Sequence, residues 1–155
     1  MSVPAGEASA FVERVGRFWE SASRSRTAGR MLGWLMICEP QYQSSAELVN
    51  ALAVSSGSVS TQIRHLENLG LVERVTFSGD RASYYHLPDK VWSKVVKEDL
   101  GRLTEMRKLA EAGAAVLPTT RPERVTELGV VAEFLIGEWS SFMERLDDRL
   151  SEGSS

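Results

Sequence analysis

The chain is short of cysteine, histidine and apolar runs. It has 155 residues with one cysteine, Cys38, and two histidines, His65 and His86. A lone cysteine forms no internal disulfide, which fits a reducing interior. Cys38 closes an apolar helical stretch, so a buried, inert thiol is expected rather than a redox sensor. Neither histidine has a second ligand at metal-binding spacing, and no HExxH, CxxC, GxSxG or phosphate-loop pattern occurs. Carboxylates are scattered over amphipathic stretches. Metal, cofactor and catalytic roles are therefore not expected. The apolar stretch Leu35-Met36-Ile37-Cys38 falls far short of the ~20 residues that cross a bilayer. Residues 1–10 show no basic segment leading into an apolar run. No membrane partner is expected, and the expected compartment is the cytoplasm.

Apolar residues make up 43% and charged residues 25%, ordinary for a globular domain with a real core or a small domain carrying an oligomerisation arm. The net charge of −3 argues at first against a nucleic-acid partner. Its distribution matters more. Residues 10–30 hold five arginines against two glutamates, whereas residues 118–155 hold four arginines against eight acids. Residues 55–87 balance, with Arg64, Arg74 and Arg81 facing Glu67, Glu73 and Asp80.

Phe11, Val15, Phe18 and Trp19 recur at helical spacing and predict a helix over 8–21. A second, apolar on most sides, is predicted over 27–38 and ends at Glu39-Pro40. Ser44-Ser45-Ala46-Glu47 has capping-box spacing and opens a helix burying Leu48, Ala51 and Leu52. Ser55-Ser56-Gly57 supplies a turn and the next cap; the helix that follows buries Val59, Ile63 and Leu66, with Gly70 just past its end. Residues 71–77 and 82–87 read as strands around the turn Ser78-Gly79-Asp80-Arg81. A long helix follows from Val91 to about Leu117, and a second capping box is read at Thr120-Arg121-Pro122-Glu123. The last helix sets Val125, Leu128, Ala132, Leu135, Trp139, Phe142 and Leu146 in alternating steps of three and four, a seam suited to packing against other helices or across a dimer.

Helix-turn-helix followed by a hairpin is the winged-helix unit, whose second helix fits a DNA major groove. With Val59, Ile63 and Leu66 inward, Gly57, Thr61, Arg64 and Asn68 lie opposite, with Ser58, Ser60 and His65 on the flanks. Ser56 opens the helix. Short polar side chains allow close approach, the helix N-terminus offers free N–H groups to a phosphate, and Arg64 can donate two hydrogen bonds to guanine. Arg81, at the hairpin tip, is read as a wing arginine for the minor groove or its phosphates, with Asp80 orienting it. Arg24, Arg26 and Arg30 either grip phosphates or pair with acids. Phe18, Trp19, Trp34 and Trp92 either line an apolar effector pocket at the junction of the two halves or belong to the core.

Trp19, Ala28-Gly29-Arg30-Met31-Leu32-Gly33, Ser56-Gly57-Ser58-Val59-Ser60, Leu66-Glu67-Asn68-Leu69-Gly70-Leu71-Val72, and Gly79-Asp80-Arg81 with Tyr84-Tyr85 together resemble the MarR superfamily, GbsR-like branch. The resemblance covers about residues 11–117. It implies a homodimeric transcription regulator, usually a repressor, reading a pseudo-palindromic operator in double-stranded DNA, often with a small-ligand pocket between winged helix and dimer helices. Ser56 departs from the branch, where basic residues are frequent, which implies one phosphate contact fewer.

The expected fold is mainly α (α+β): a winged helix-turn-helix over 25–88, a helical dimerisation region over 8–22 and 89–150, and a disordered tail over 151–155. The expected function is a homodimeric DNA-binding transcriptional regulator, a repressor with a small apolar or aromatic effector. The rival is a winged helix used for protein docking without sequence-specific DNA binding, which the charge balance over 55–87 favours.

Overall fold

The computed structural model describes residues 5–22, 24–116 and 123–153. Two units are present, Met1–Val91 and Trp92–Ser155. In the first, α1 (Glu7–Ser21) packs along α2 (Arg26–Ile37). Ser25 caps α2, its side chain accepting from the Ala28 N–H. Glycines bring these two helices together. A Cβ added at Gly29 would stand 2.4 Å from Trp19 Cβ and 3.0 Å from both Gly16 Cα and the Val15 carbonyl oxygen. The apolar faces of α2 then bury Met31, Leu32, Trp34 and Leu35.

A two-residue strand β1 (Gln43–Ser44) leads into α3 (Ser45–Leu52), then α4 (Ser56–Asn68) and the hairpin β2 (Glu73–Thr76) and β3 (Ser83–His86). Both bonds of the capping box are present: Ser44 Oγ accepts from the Glu47 N–H and Glu47 Oε2 from the Ser44 N–H. The strands form one antiparallel sheet in the order β1-β3-β2, with Gln43 opposite Tyr85 and Arg74 opposite Tyr85 across the other edge. Gln43 is fully buried; its amide accepts from Trp34 Nε1 at 3.1 Å and donates to the Pro40 carbonyl at 2.7 Å. Gly70, at φ 70°, reverses the chain after α4. The Gly70 N–H reaches the Glu67 carbonyl and the Leu71 N–H the Leu66 carbonyl, a Schellman closure that stacks buried Leu71 near buried Leu66. Leu48, Leu52, Val59, Ile63, Leu66, Leu71 and Val72 complete the core. The winged-helix arrangement is thus present as the sequence predicts.

Three details differ. The strands span four residues each, shorter than expected, and β1 was not foreseen. The turn between α3 and α4 is made at Ala53, which adopts a left-handed φ of 52°, while Ser56 and Gly57 already belong to α4. Serine and glycine are the usual turn formers, and here they open a helix instead.

In the second unit, α5 (Val91–Val116) is followed by α6 (Glu123–Glu152). The capping box read at Thr120–Glu123 lies outside the described residues except for Glu123. Gly113 lies against Val125 and Gly129 against Ala110, so small residues let these helices meet. The sheltered side of α6 carries Val125, Leu128, Ala132, Ile136, Trp139, Met143 and Leu146. Leu135 and Phe142, read as seam residues, are exposed, and Ile136 and Met143 take their places. The helix runs through Glu152, two residues into the segment expected to be disordered. Among the described residues, no helix is long and apolar enough to cross a membrane.

Candidate nucleic-acid interface

α4 is built with two unlike faces. Val59, Ile63 and Leu66 are buried, while Ser56, Gly57, Ser60, Thr61, Arg64 and His65 are exposed and Ser58 is half-buried. The capping side chain is that of Ser55, which accepts from the Ser58 N–H at 3.1 Å, leaving the Ser56 hydroxyl facing solvent. The first turn holds no acid, so no carboxylate of its own competes with an anion there. Nothing lies within 4 Å of a Cβ built on Gly57. A helical glycine costs about 1 kcal/mol against alanine, and no packing among the described residues requires this one.

The hairpin tip is fixed by Asp80. Gly79 adopts φ 85° and the Asp80 N–H reaches the Phe77 carbonyl at 3.1 Å. Asp80 Oδ1 accepts from the Ala82 N–H at 2.8 Å and Oδ2 from the Tyr84 hydroxyl at 2.7 Å. These donors, the Ala82 N–H foremost, hold the carboxyl below its usual range. The expectation that Asp80 orients the Arg81 guanidinium is therefore corrected: both carboxylate oxygens serve the turn itself, because donors two and four residues on reach them first. Tyr42 packs edge-on against Phe77 and His86 at centroid separations of 5.3 and 4.9 Å, and Phe77 against Tyr84 at 5.3 Å. This aromatic row stiffens one face of the sheet.

The charge balance of residues 55–87 conceals an asymmetry. Glu67 accepts two hydrogen bonds from Arg74, Nε and Nη2, each 3.1 Å long. Glu73 stands 3.6 Å from His86. With Asp80 held by the turn, two of the segment's three acids, Glu67 and Asp80, are engaged by hydrogen bonds. Arg64 and Arg81 have no ion pair or hydrogen bond among the described residues. Two unsatisfied guanidinium groups thus project from the helix and the hairpin tip.

Farther forward, Arg26 meets Glu13 at 3.0 Å and Glu20 at 4.0 Å. Arg30 lies 2.6 Å from Glu13 and donates from Nη2 to the Leu52 carbonyl at 2.9 Å. Arg26, as hydrogen-bond donor, is the largest influence holding the Glu13 carboxyl low. Of the two readings given for these arginines, Arg26 and Arg30 take acid pairing. Arg24 places its guanidinium 4.7 Å above the Trp19 ring.

The four aromatics read as pocket candidates have different surroundings. Phe18 is 69% exposed and Trp92 41%, whereas Trp19 is only 3% exposed and Trp34 is buried on Gln43. The buried Trp19 indole N–H has no partner among the described residues. A cavity of about 210 Å³ between α5 and α6 is lined by Ala110, Glu111, Ala114, Val125, Thr126 and Gly129, and by none of those four. Cys38 is buried and burial pushes its thiol up to about 11, a poor nucleophile at neutral pH. Among the described residues no group of three or more acidic, histidine or cysteine side chains could hold a metal ion. Sequence reasoning treated Glu67 and Arg74 only as charges; their separation of seven residues across a helix end and a turn has no local signature.

Comparison with known proteins gives concordant results. A family model described as MarR family matches residues 24–83. Over 145 residues the chain is 37% identical to the HTH-type transcriptional regulator MmpR5 of Mycobacterium tuberculosis (strain ATCC 25618 / H37Rv), taking in 92% of this chain and 88% of that protein. A crystal structure of a transcriptional regulator superposes with a TM-score of 0.78 at 36% identity, covering 92% of this chain and 99% of the other.

Proposed function

The chain belongs to the MarR family of DNA-binding transcriptional regulators, which are not enzymes, and from that membership we propose a homodimeric repressor that reads a pseudo-palindromic operator in double-stranded DNA. α4 enters the major groove through Ser56, Gly57, Ser58, Ser60, Thr61, Arg64 and His65, and Arg81 reaches the adjacent backbone or minor groove. The observation that carries this reading is the pair of unengaged arginines, Arg64 and Arg81, in a segment where Glu67 and Asp80 are hydrogen-bonded internally. It also removes the support that zero net charge lent to a protein-docking module, because phosphate is met locally.

Two copies would present their α4 helices about one DNA turn apart. The winged helix of 25–88 does the reading, and 8–22 with 89–150 forms the dimer. Support for dimerisation comes from α6, which carries a second apolar row, Val130, Val131, Phe134, Leu135 and Phe142, all exposed. Such a row is unfavourable in water unless another surface covers it. The serine-glycine opening of α4 and the Gly79-Asp80-Arg81 turn favour the GbsR-like branch. A regulator of this kind works in the cytoplasm. A small apolar or aromatic effector is the proposed input, with Phe18, Trp19, Trp34 and Trp92 as the positions to substitute in testing it.

The test is quantitative binding to operator and scrambled duplexes. Arg64→Ala is expected to cost about 1–3 kcal/mol per half-site and to relax preference at one base pair. Arg81→Ala is expected to weaken all sequences alike and to lower the salt slope by about 1 per half-site. Binding unchanged in both variants would remove the assignment.

A further inference from the structure

Recognition helix and wing are joined by a short connection, and a glycine is at its bend. Between Asn68, where α4 ends, and Glu73, where β2 begins, the chain turns at Gly70 and buries Leu71 and Val72. On the solvent side of the same bend, Glu67 of α4 and Arg74 of β2 face each other fork to fork, with two N–H···O bonds of 3.1 Å. The Arg74 guanidinium also lies 5.7 Å from the centroid of the buried Tyr85 ring, its cross-strand partner in β3. One side chain therefore touches the recognition helix and both hairpin strands.

We propose that Glu67 and Arg74 form a strut that sets the angle between α4 and the wing, making both positioning residues for DNA binding. The proposal rests on the reading of α4 and the hairpin as the DNA-contacting pair. Two parallel bonds between planar groups resist rotation about either one, which a single contact does not. Arg81 lies at the far end of the hairpin, so a small rotation at the bend displaces it across several ångströms, enough to lose a phosphate. An exposed ion pair adds little to stability, so the strut's effect falls on aim.

Glu67→Gln separates this from simple charge. Removing an acid beside DNA by itself tightens binding; removing the strut weakens it. With the full chain and a 30-bp duplex selected by the wild-type protein from a randomised pool, Glu67→Gln and Arg74→Lys are each expected to bind about three- to tenfold more weakly, with a salt slope as flat as that of Arg81→Ala. Melting temperature should be nearly unchanged. In an Arg81→Ala background, Glu67→Gln should cost nothing further, because the contact that the strut aims is already gone. Glu67→Gln binding as tightly as wild type or tighter, or losing as much in the Arg81→Ala background, overturns the strut while leaving the interface intact. Arg81→Ala binding like wild type overturns the wing contact and the strut with it, and leaves the α4 assignment to the Arg64→Ala titration.

Discussion

Replacing Gly29 by alanine tests whether the close approach of α1 and α2 is built on absent side chains. The new methyl would stand 2.4 Å from Trp19 Cβ, against an optimal carbon–carbon separation of about 3.5–4.0 Å. It would also meet Gly16 Cα and the Val15 carbonyl oxygen, both at 3.0 Å. None of these atoms is carried away by a side-chain rotation, since one is a Cβ and two are backbone. The helices must separate by about 1 Å, which places the substitution at the upper end of the usual overpacking cost, about 3 kcal/mol. Alanine returns about 1 kcal/mol through its better helix propensity, leaving about 2 kcal/mol of destabilisation. For a chain of this length that lowers the melting temperature by about 4–8 °C. Urea titration followed by tryptophan fluorescence is the assay, with Gly57→Ala as control. The control position is also helical but its Cβ meets nothing, so it should gain up to about 1 kcal/mol. A Gly29→Ala protein as stable as the parent would refute the packing argument.

The same Gly57→Ala variant, although more stable, is expected to bind operator DNA at least about tenfold more weakly, about 1.4 kcal/mol, since its methyl would occupy the space closed by the duplex; unchanged titrations would show the glycine to be incidental. Phe134→Glu places a charge on a side chain that is 66% exposed in one chain; sedimentation should shift from dimer to monomer without loss of helicity, and a persistent dimer would place the interface elsewhere. The Asp80 carboxyl titrates below its ordinary value in the folded protein, so its contribution to the wing turn is complete above the ordinary carboxylate range and is lost as pH falls through the lowered value. Asp80→Asn should thus loosen the hairpin at pH 7, seen as faster amide exchange at Ala82 and Tyr84, and should differ little from the parent once the acid is protonated.

Local chemistry was readable in advance and distant pairing was not. The capping box at Ser44, the inward triad of Val59, Ile63 and Leu66, and the glycine stop at Gly70 each follow from spacing within one element, and each is found. β1 has two residues, too few for an alternating pattern; its strand character comes from pairing with β3. The left-handed turn at Ala53 was assigned to the serines that follow, because alanine carries no turn signal. Arg30 joins α2 to the end of α3 across 22 residues, a relation invisible to any window. Summed charge misled for the same reason: whether an arginine is available depends on which acids fold against it.

The amide of Gln43 lies on β1, in the sheet that carries the wing, yet its oxygen is bound to the indole of Trp34 in α2. An indole hydrogen bond affects both emission wavelength and quenching. In a background where Trp19, Trp92 and Trp139 are replaced by phenylalanine, Trp34 becomes an internal optical gauge of how firmly the sheet is seated, readable during DNA titration without any attached dye.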